Sequence, residues 1–361
     1  MRARRFAAIA AATTILALAA LGPVLDLAEQ PAGPNAFASP VSGVRTIDTN
    51  GGRLDWSQSL DLIAFDRRGA DGYFDVWTMR PDGSQQTCVT CNTPGLPARH
   101  VGNPTWHPSG DYIVVQAEKP THAGTSSSAS PGVGFNNDLW LVTRDGAFAW
   151  ELIDTPADRV TLHPQFSHNG AKLTWGQTVT NLGSAVRVAD FVVDREGPRL
   201  ATIRDYQPVG RIFHETHGFS SDDSKVIFTS VAKGQPLWTF DVFTLDLNTG
   251  AVVTLTGTWD QWDEHAQFTP SDQKVVWMSS RDCGCDPRKV GTLKTDLWMM
   301  NADGSGQFRL TRLSDSTAPE YLGRWVTVGD MSWAPDRRSL AMRLLVGPKE
   351  HIAVLEFSEP Q

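Results

Sequence analysis

One pattern constrains this chain more than any other: an aromatic residue followed by a short polar turn recurs six times. It reads Asp55-Trp56-Ser57, Thr105-Trp106-His107-Pro108-Ser109-Gly110 and Gln165-Phe166-Ser167-His168-Asn169-Gly170. It continues as Gly218-Phe219-Ser220-Ser221-Asp222-Asp223, Gln267-Phe268-Thr269-Pro270-Ser271-Asp272 and Ser332-Trp333-Ala334-Pro335-Asp336. Successive aromatics lie 50, 60, 53, 49 and 65 residues apart. A period of that size belongs to stacked or radially arranged units, each too small to bury its own apolar face.

Each unit has the same internal order. A β-rich run follows the turn, as in Tyr112-Ile113-Val114-Val115 or Val275-Val276-Trp277-Met278. An alternating run comes next and opens with Asp in four units (Asp75, Asp138, Asp241, Asp296). In five units it ends in a tight turn: Asp82-Gly83, Asp145-Gly146, Glu196-Gly197, Thr249-Gly250 and Asp303-Gly304. A polar residue before Gly suits hairpins whose central residues need positive φ. A further run, such as Val252-Val253-Thr254-Leu255, completes the unit. Four antiparallel strands with no helix between units predict an all-β, six-bladed β-propeller. The sixth unit reaches Gln361 one strand short, while Val44-Arg45-Thr46-Ile47 has no unit of its own. This N-terminal strand is therefore expected to close the last blade and remove the exposed edges.

The turn at 106–110 and the run Asp296-Leu297-Trp298-Met299-Met300-Asn301-Ala302-Asp303-Gly304 resemble the WD40-like repeat of the TolB β-propeller family. The resemblance covers roughly residues 44–357. It implies the fold, and a role for the propeller as a periplasmic binding partner or as the companion of a peptidase. No G-x-S-x-G nucleophile elbow occurs in this chain.

Arg2, Arg4 and Arg5 precede an Ala/Leu-rich run and then Asn35-Ala36-Phe37-Ala38, the order of an export signal. Residues 1–38 are read as that signal, with an uncleaved anchor as the alternative, and 39–361 as a single propeller domain. The expected location is the periplasm, cell envelope or exterior, with no membrane span after cleavage. A net charge of −8, from 32 Lys+Arg against 40 Asp+Glu, disfavours nucleic acid as a partner.

In a propeller the innermost strand of each blade lines the channel. Counting back three residues from each aromatic gives a ring of Arg53, Asn103, His163, Thr216, His265 and Asp330. Their neighbours add Asp55, His100, His214, Glu215, His217, Asp263 and Glu264. Ligands of propellers bind where loops vary on a rigid frame. The expected mouth is therefore the entrance of the inner strands, with Arg53, Asn103, His163, His214, His217, His265 and Asp330 as candidate ligand contacts. His163, His217 and His265 come from neighbouring blades. With a carboxylate from Glu215, Glu264 or Asp330 they would suit Mn²⁺ or Zn²⁺; otherwise they hydrogen-bond across the channel.

Two function classes follow. One is a non-catalytic module binding a protein or carbohydrate at the mouth. The other is a metal-dependent polysaccharide lyase, because the histidine ring is similar in chemistry to the centre of oligogalacturonate lyases. In that reading His214 or His217 is the base, and Arg53, Arg99 or Arg211 holds carboxylates. Cys88/Cys91 and Cys283/Cys285 are read as local disulfides in an oxidising compartment, with a four-thiolate zinc site as the rival. The Gly/Ser-rich stretch 124–134 reads as a surface loop or a flap over the mouth. Trp259, Trp262 and Trp325 fall in connections between blades, where exposed rings could stack on a ligand.

Overall fold

The computed structural model describes residues 40–361 except 122–126, 157–158, 181–182, 211–212 and 237–238. The export signal assigned to 1–38 and the candidate Arg211 lie outside these residues. The described chain forms six four-stranded antiparallel sheets and, beyond them, only a 3₁₀ turn at Val290–Thr292. Among these residues no helix is long and apolar enough to cross a membrane.

The innermost strands are Leu54–Trp56, Val101–Trp106, Thr161–Phe166, His214–Phe219, Asp263–Phe268 and Val326–Trp333, one per blade. Blade six takes its outermost strand from the N-terminal side: Val41–Asp48 pairs antiparallel with Lys349–Phe357, for example Val44 with Leu355. The expected closure is present.

The core is a ring of apolar layers between neighbouring blades rather than one central mass. Trp56, Ile63 and Phe65 of blade one pack against Ala341, Ile352 and Val354 of blade six. Leu139, Leu141 and Val114 of blade two meet Phe166, Trp175 and Phe191 of blade three. The repeating aromatics are thus anchors between blades, which is why the period was so legible. Polar ties reinforce the ring at the aromatic end. The Asp55 carboxylate accepts from Ser332 Oγ of blade six (2.7 Å) and from the Trp106 N–H of blade two (2.7 Å). Asp223 and Asp272 likewise accept from the turns of the preceding blades, at His168 N (2.7 Å) and Ser221 N (2.8 Å).

Deleting Val41–Asp48 strips blade six of a strand and removes Val44 and Ile47, uncovering the apolar layers on which they pack. The truncated chain is expected to lose about 3 kcal/mol or more and to melt as one unit at lower temperature. An unchanged melting temperature would show that the ring does not depend on this strand.

Candidate functional site

Five of the inner strands carry a β-bulge near mid-strand: at 102–105, 162–165, 216–218, 264–267 and 328–331. A bulge inserts one residue and re-aims a side chain. At three of them the bulged residue adopts positive φ although it is not glycine: Asn103 (49°), His163 (46°) and His265 (49°). Such backbone costs of order 1 kcal/mol or more and persists where the surroundings over-determine it. In blade four the bulge falls one residue later, so His217 and not Thr216 joins the imidazoles. Thr216 instead donates from Oγ1 to the His163 carbonyl of the preceding blade (2.8 Å).

His163, Glu215, His217 and His265 each bring a ligand-type atom within 4.8 Å of the others. His163 Nε2 stands 3.1 Å from Glu215 Oε1, and His265 Nδ1 stands 3.8 Å from the same oxygen. Asp330 lies behind, 3.1 Å from His163 Nδ1 and 3.6 Å from Arg53 Nε. Burial dominates at the imidazoles, whereas at Asp330 it is outweighed by His163, His265 and Arg53, which hold the carboxyl well below its ordinary range. Opposed by Asp330 and helped by His163 and Arg53, burial pushes His265 down to about 3. Burial, with the other two imidazoles beside it, holds His217 well below its ordinary value, and His163 is lowered by burial against the pull of Asp330. The two glutamates move the other way: burial raises Glu264 to about 7, and burial with Glu264 and Asp330 nearby raises Glu215 well above its usual range. At neutral pH the centre therefore presents three unprotonated imidazoles.

Other candidates do not reach this cluster. His214 turns its Nδ1 to Ser184 Oγ (3.0 Å) and its ring toward Phe228. His100 sits against the rings of Tyr73 and Phe74, between blades one and two. Arg99 lies by Glu118 and over Tyr73, and Asp263 accepts from Trp277 Nε1 (3.0 Å). Asn103 is buried, with its N–H on Asp66 of blade one (2.9 Å). Trp262 is buried too and donates Nε1 to Glu264 (2.7 Å), so it offers no stacking face; Trp259 remains exposed. The cysteines form the disulfides Cys88–Cys91 and Cys283–Cys285, so no thiolate joins the two pairs.

The larger correction concerns which end of the channel is open. At the inner-strand entrance, the loop from blade two is neither a surface loop nor a flap over its described length. Pro131, Gly132, Val133 and Gly134 are buried. Val133 packs into an apolar layer with Leu162, Phe213, Trp262 and Val328, residues of four different blades. Gly134 accepts from the Thr161 N–H (2.9 Å), and Gly132 donates to Gln116 Oε1 (3.2 Å). Gly132 (φ 76°) lies so close to Arg53 that a Cβ there would stand 1.9 Å from the guanidinium. This segment plugs the expected mouth.

The opposite end is open. A funnel of about 270 Å³ opens where the inner strands finish, lined from all six blades by the repeating aromatics and by Asp55, Gln165, Gln267 and Asp272. Gln165 and Gln267 also line a second cavity of about 10 Å³ that touches His163, His217, His265 and Asp330. The histidine cluster thus stands at the foot of the funnel and faces a space about the size of one water or ion. Asp55, read as a mouth residue, belongs to this aromatic end. Gln165 and Gln267 were missed by sequence reasoning, although both occupy the position just before the repeating aromatic.

Comparison with solved structures places this architecture. A putative TolB from Agrobacterium tumefaciens superposes with a TM-score of 0.51 over 73% of this chain and 81% of that one, at 15% identity. The fold is that of the TolB-type propellers. TolB from Acinetobacter baumannii aligns with 87% of this chain and 65% of its own at TM-score 0.50 and 12% identity. Puromycin hydrolase aligns at 0.50 and 13% identity, over 86% of this chain and 44% of its own. No protein-family model matches the sequence, and no curated protein matches it. At these identities the likeness is one of fold.

His214 yields a pH prediction independent of the channel cluster. Burial, opposed by its hydrogen bond at Ser184, pushes it down to about 4 from an ordinary 6.5. A histidine lowered on folding contributes stability that is full above about 6.5 and is lost as pH falls through about 4. The stability difference between the wild type and His214→Gln should therefore shrink by about 3 kcal/mol from pH 7 to pH 4, read from urea midpoints. Parallel pH profiles would show that His214 is not held neutral.

Proposed function

We propose that this propeller is an exported binding module that takes a small ligand, or an end of a partner protein, into the funnel at the aromatic end of its channel. The observation that carries the reading is the funnel itself: a 270 Å³ space on the ring axis, open at one face and narrowing to amide side chains and imidazoles. Apolar walls with a few convergent polar groups are the usual chemistry of a ligand site. Its wall includes the carboxylates of Asp55 and Asp272, the imidazole of His168 and, among the described residues, no Lys or Arg. That favours neutral or cationic groups, such as a neutral sugar or a peptide, over polyanions. An Mn²⁺ or Zn²⁺ ion would stand at the foot of this funnel, on the histidines.

The metal-dependent lyase is the second reading, favoured by the histidine cluster alone. A uronate would approach past Asp55 and Asp272 toward Glu215, Glu264 and Asp330, with no Lys or Arg among the described residues of the funnel wall to take its carboxylates. Of its two candidate bases, His214 points elsewhere and His217 stands in the cluster. The binding module is the better account.

Calorimetric titration with a panel of neutral oligosaccharides and capped peptides tests it, alongside an assay for unsaturated product from oligogalacturonate. Gln165→Trp fills the funnel neck and should weaken binding at least about tenfold, with the melting temperature unchanged. Trp259→Ala, in the connection leading into an inner strand at the plugged end, should bind as the wild type does. Loss of binding in Trp259→Ala with retention in Gln165→Trp would return the site to the entrance side, and product from oligogalacturonate would establish the lyase instead.

A further inference from the structure

We propose that His163 Nε2, His217 Nδ1, His265 Nδ1 and a carboxylate oxygen of Glu215 form a site for one divalent transition-metal ion, with a free coordination position facing Gln165 and Gln267. The free position rests on the funnel reading above; the ligand set does not.

The first argument is the way each imidazole is held. His163 has Asp330 on Nδ1 at 3.1 Å, so its Nε2 is the nitrogen directed at Glu215. His217 has Thr229 Oγ1 on Nε2 at 2.7 Å, which leaves Nδ1 for the centre. His265 has Glu264 beside Nε2 at 3.6 Å, and Glu264 is itself fixed by the Trp262 indole N–H at 2.7 Å. An outer partner on one ring nitrogen that orients the other inward is the arrangement by which proteins present histidine to a metal. Here it occurs at hydrogen-bond distance for His163 and His217; at His265 a carboxylate stands near each nitrogen, Glu264 3.6 Å from Nε2 and Asp330 3.7 Å from Nδ1.

The second argument is what is left over. His265 Nδ1 and Glu215 Oε1 are buried and make no hydrogen bond among the described residues. Both belong to the inward set, and both are costly to bury without a partner. One ion would satisfy both atoms. The small cavity beside the imidazoles, about 10 Å³, has room for an ion or a single water and for nothing organic. Drawing four donors that lie within 4.8 Å of one another onto an ion at ~2.1 Å needs side-chain shifts of about 1 Å.

The donor set selects the class of ion. Three nitrogens and one carboxylate, without thiolate, suit Zn²⁺, Co²⁺ or Mn²⁺. Ca²⁺ and Mg²⁺ prefer all-oxygen shells and would be poorly served. Asp330 is a positioning residue here, because it acts through His163. With three histidines and one carboxylate bound, the remaining position points up the funnel, where an oxygen or nitrogen of a neutral ligand could reach the ion between the two glutamines.

The test is titration of the purified, chelator-stripped full chain with Zn²⁺ alone, and with Co²⁺ alone to read its visible absorption. The expected result is one equivalent bound, with cobalt bands of a four- or five-coordinate nitrogen–oxygen site. Glu215→Gln and His217→Ala should each weaken binding at least about 100-fold, and Asp330→Asn by about 10- to 100-fold. His351→Ala, on an outer strand of blade six, should bind normally. Should His217→Ala fail to fold, Glu215→Gln preserves side-chain shape and carries the test. Failure of the wild type to bind stoichiometric metal at micromolar concentration, or equal binding by Glu215→Gln, overturns the proposal. Ligand binding by metal-stripped protein that Gln165→Trp still abolishes would leave the funnel reading standing and remove only the ion.

Discussion

The pairing of Val41–Asp48 with Lys349–Phe357 underlies everything else in this molecule. A propeller blade buries its two faces only against its neighbours, so an open ring would leave the faces and edge of the last blade in water. Once the ends are joined, six inner strands converge on one axis. Residues as distant in sequence as Asp55 and Ser332 then fall within hydrogen-bond reach. The channel exists because the ring closes, and each functional argument concerns what the channel's two ends become.

Those ends are made differently. Near the entrance, bulges turn His163 and His265 inward, and blade four supplies His217 by a bulge displaced by one residue. The loop from blade two then lies across that end. Its Gly132 and Gly134 sit at positive φ and so close to Arg53 and Thr161 that a side chain at either would collide. At the other end the strands finish in aromatics that pack sideways between blades, which leaves the axis open. A polar centre sealed on one side and reached from the other through a narrow neck is a setting in which few ligands compete with water.

The fold was legible because its signal is repeated. Six aromatic turns and a leftover strand near the N-terminus leave little freedom in how the units assemble. The imidazoles of His163 and His265 were legible for the same reason, since each stands three residues before its aromatic; His217, two before Phe219, entered only as a neighbour of the counted Thr216. What the repeat could not convey was departure from itself. The bulge at 216–218 moved blade four by one residue, and His214, one turn of the pattern earlier, went to Ser184 instead of the channel. The composition of 124–134 suggested mobility, yet Val133, between Gly132 and Gly134, anchors the described end of the segment in the apolar layer above the channel. Gln165 and Gln267 escaped notice because an amide before an aromatic reads as solvated edge unless the axis is known.

The central claim is directional: the channel is open at its aromatic end and sealed at its histidine entrance. Thiol labelling of two single replacements, Gln165→Cys in the funnel neck and Val133→Cys in the plug, tests it most directly, since the four natural cysteines are held as disulfides. The account predicts that the thiol at position 165 reacts about as fast as in the unfolded chain, while that at 133 reacts at least about 100-fold slower. Rapid reaction at 133 with protection at 165 would contradict it and return the mouth to the other face.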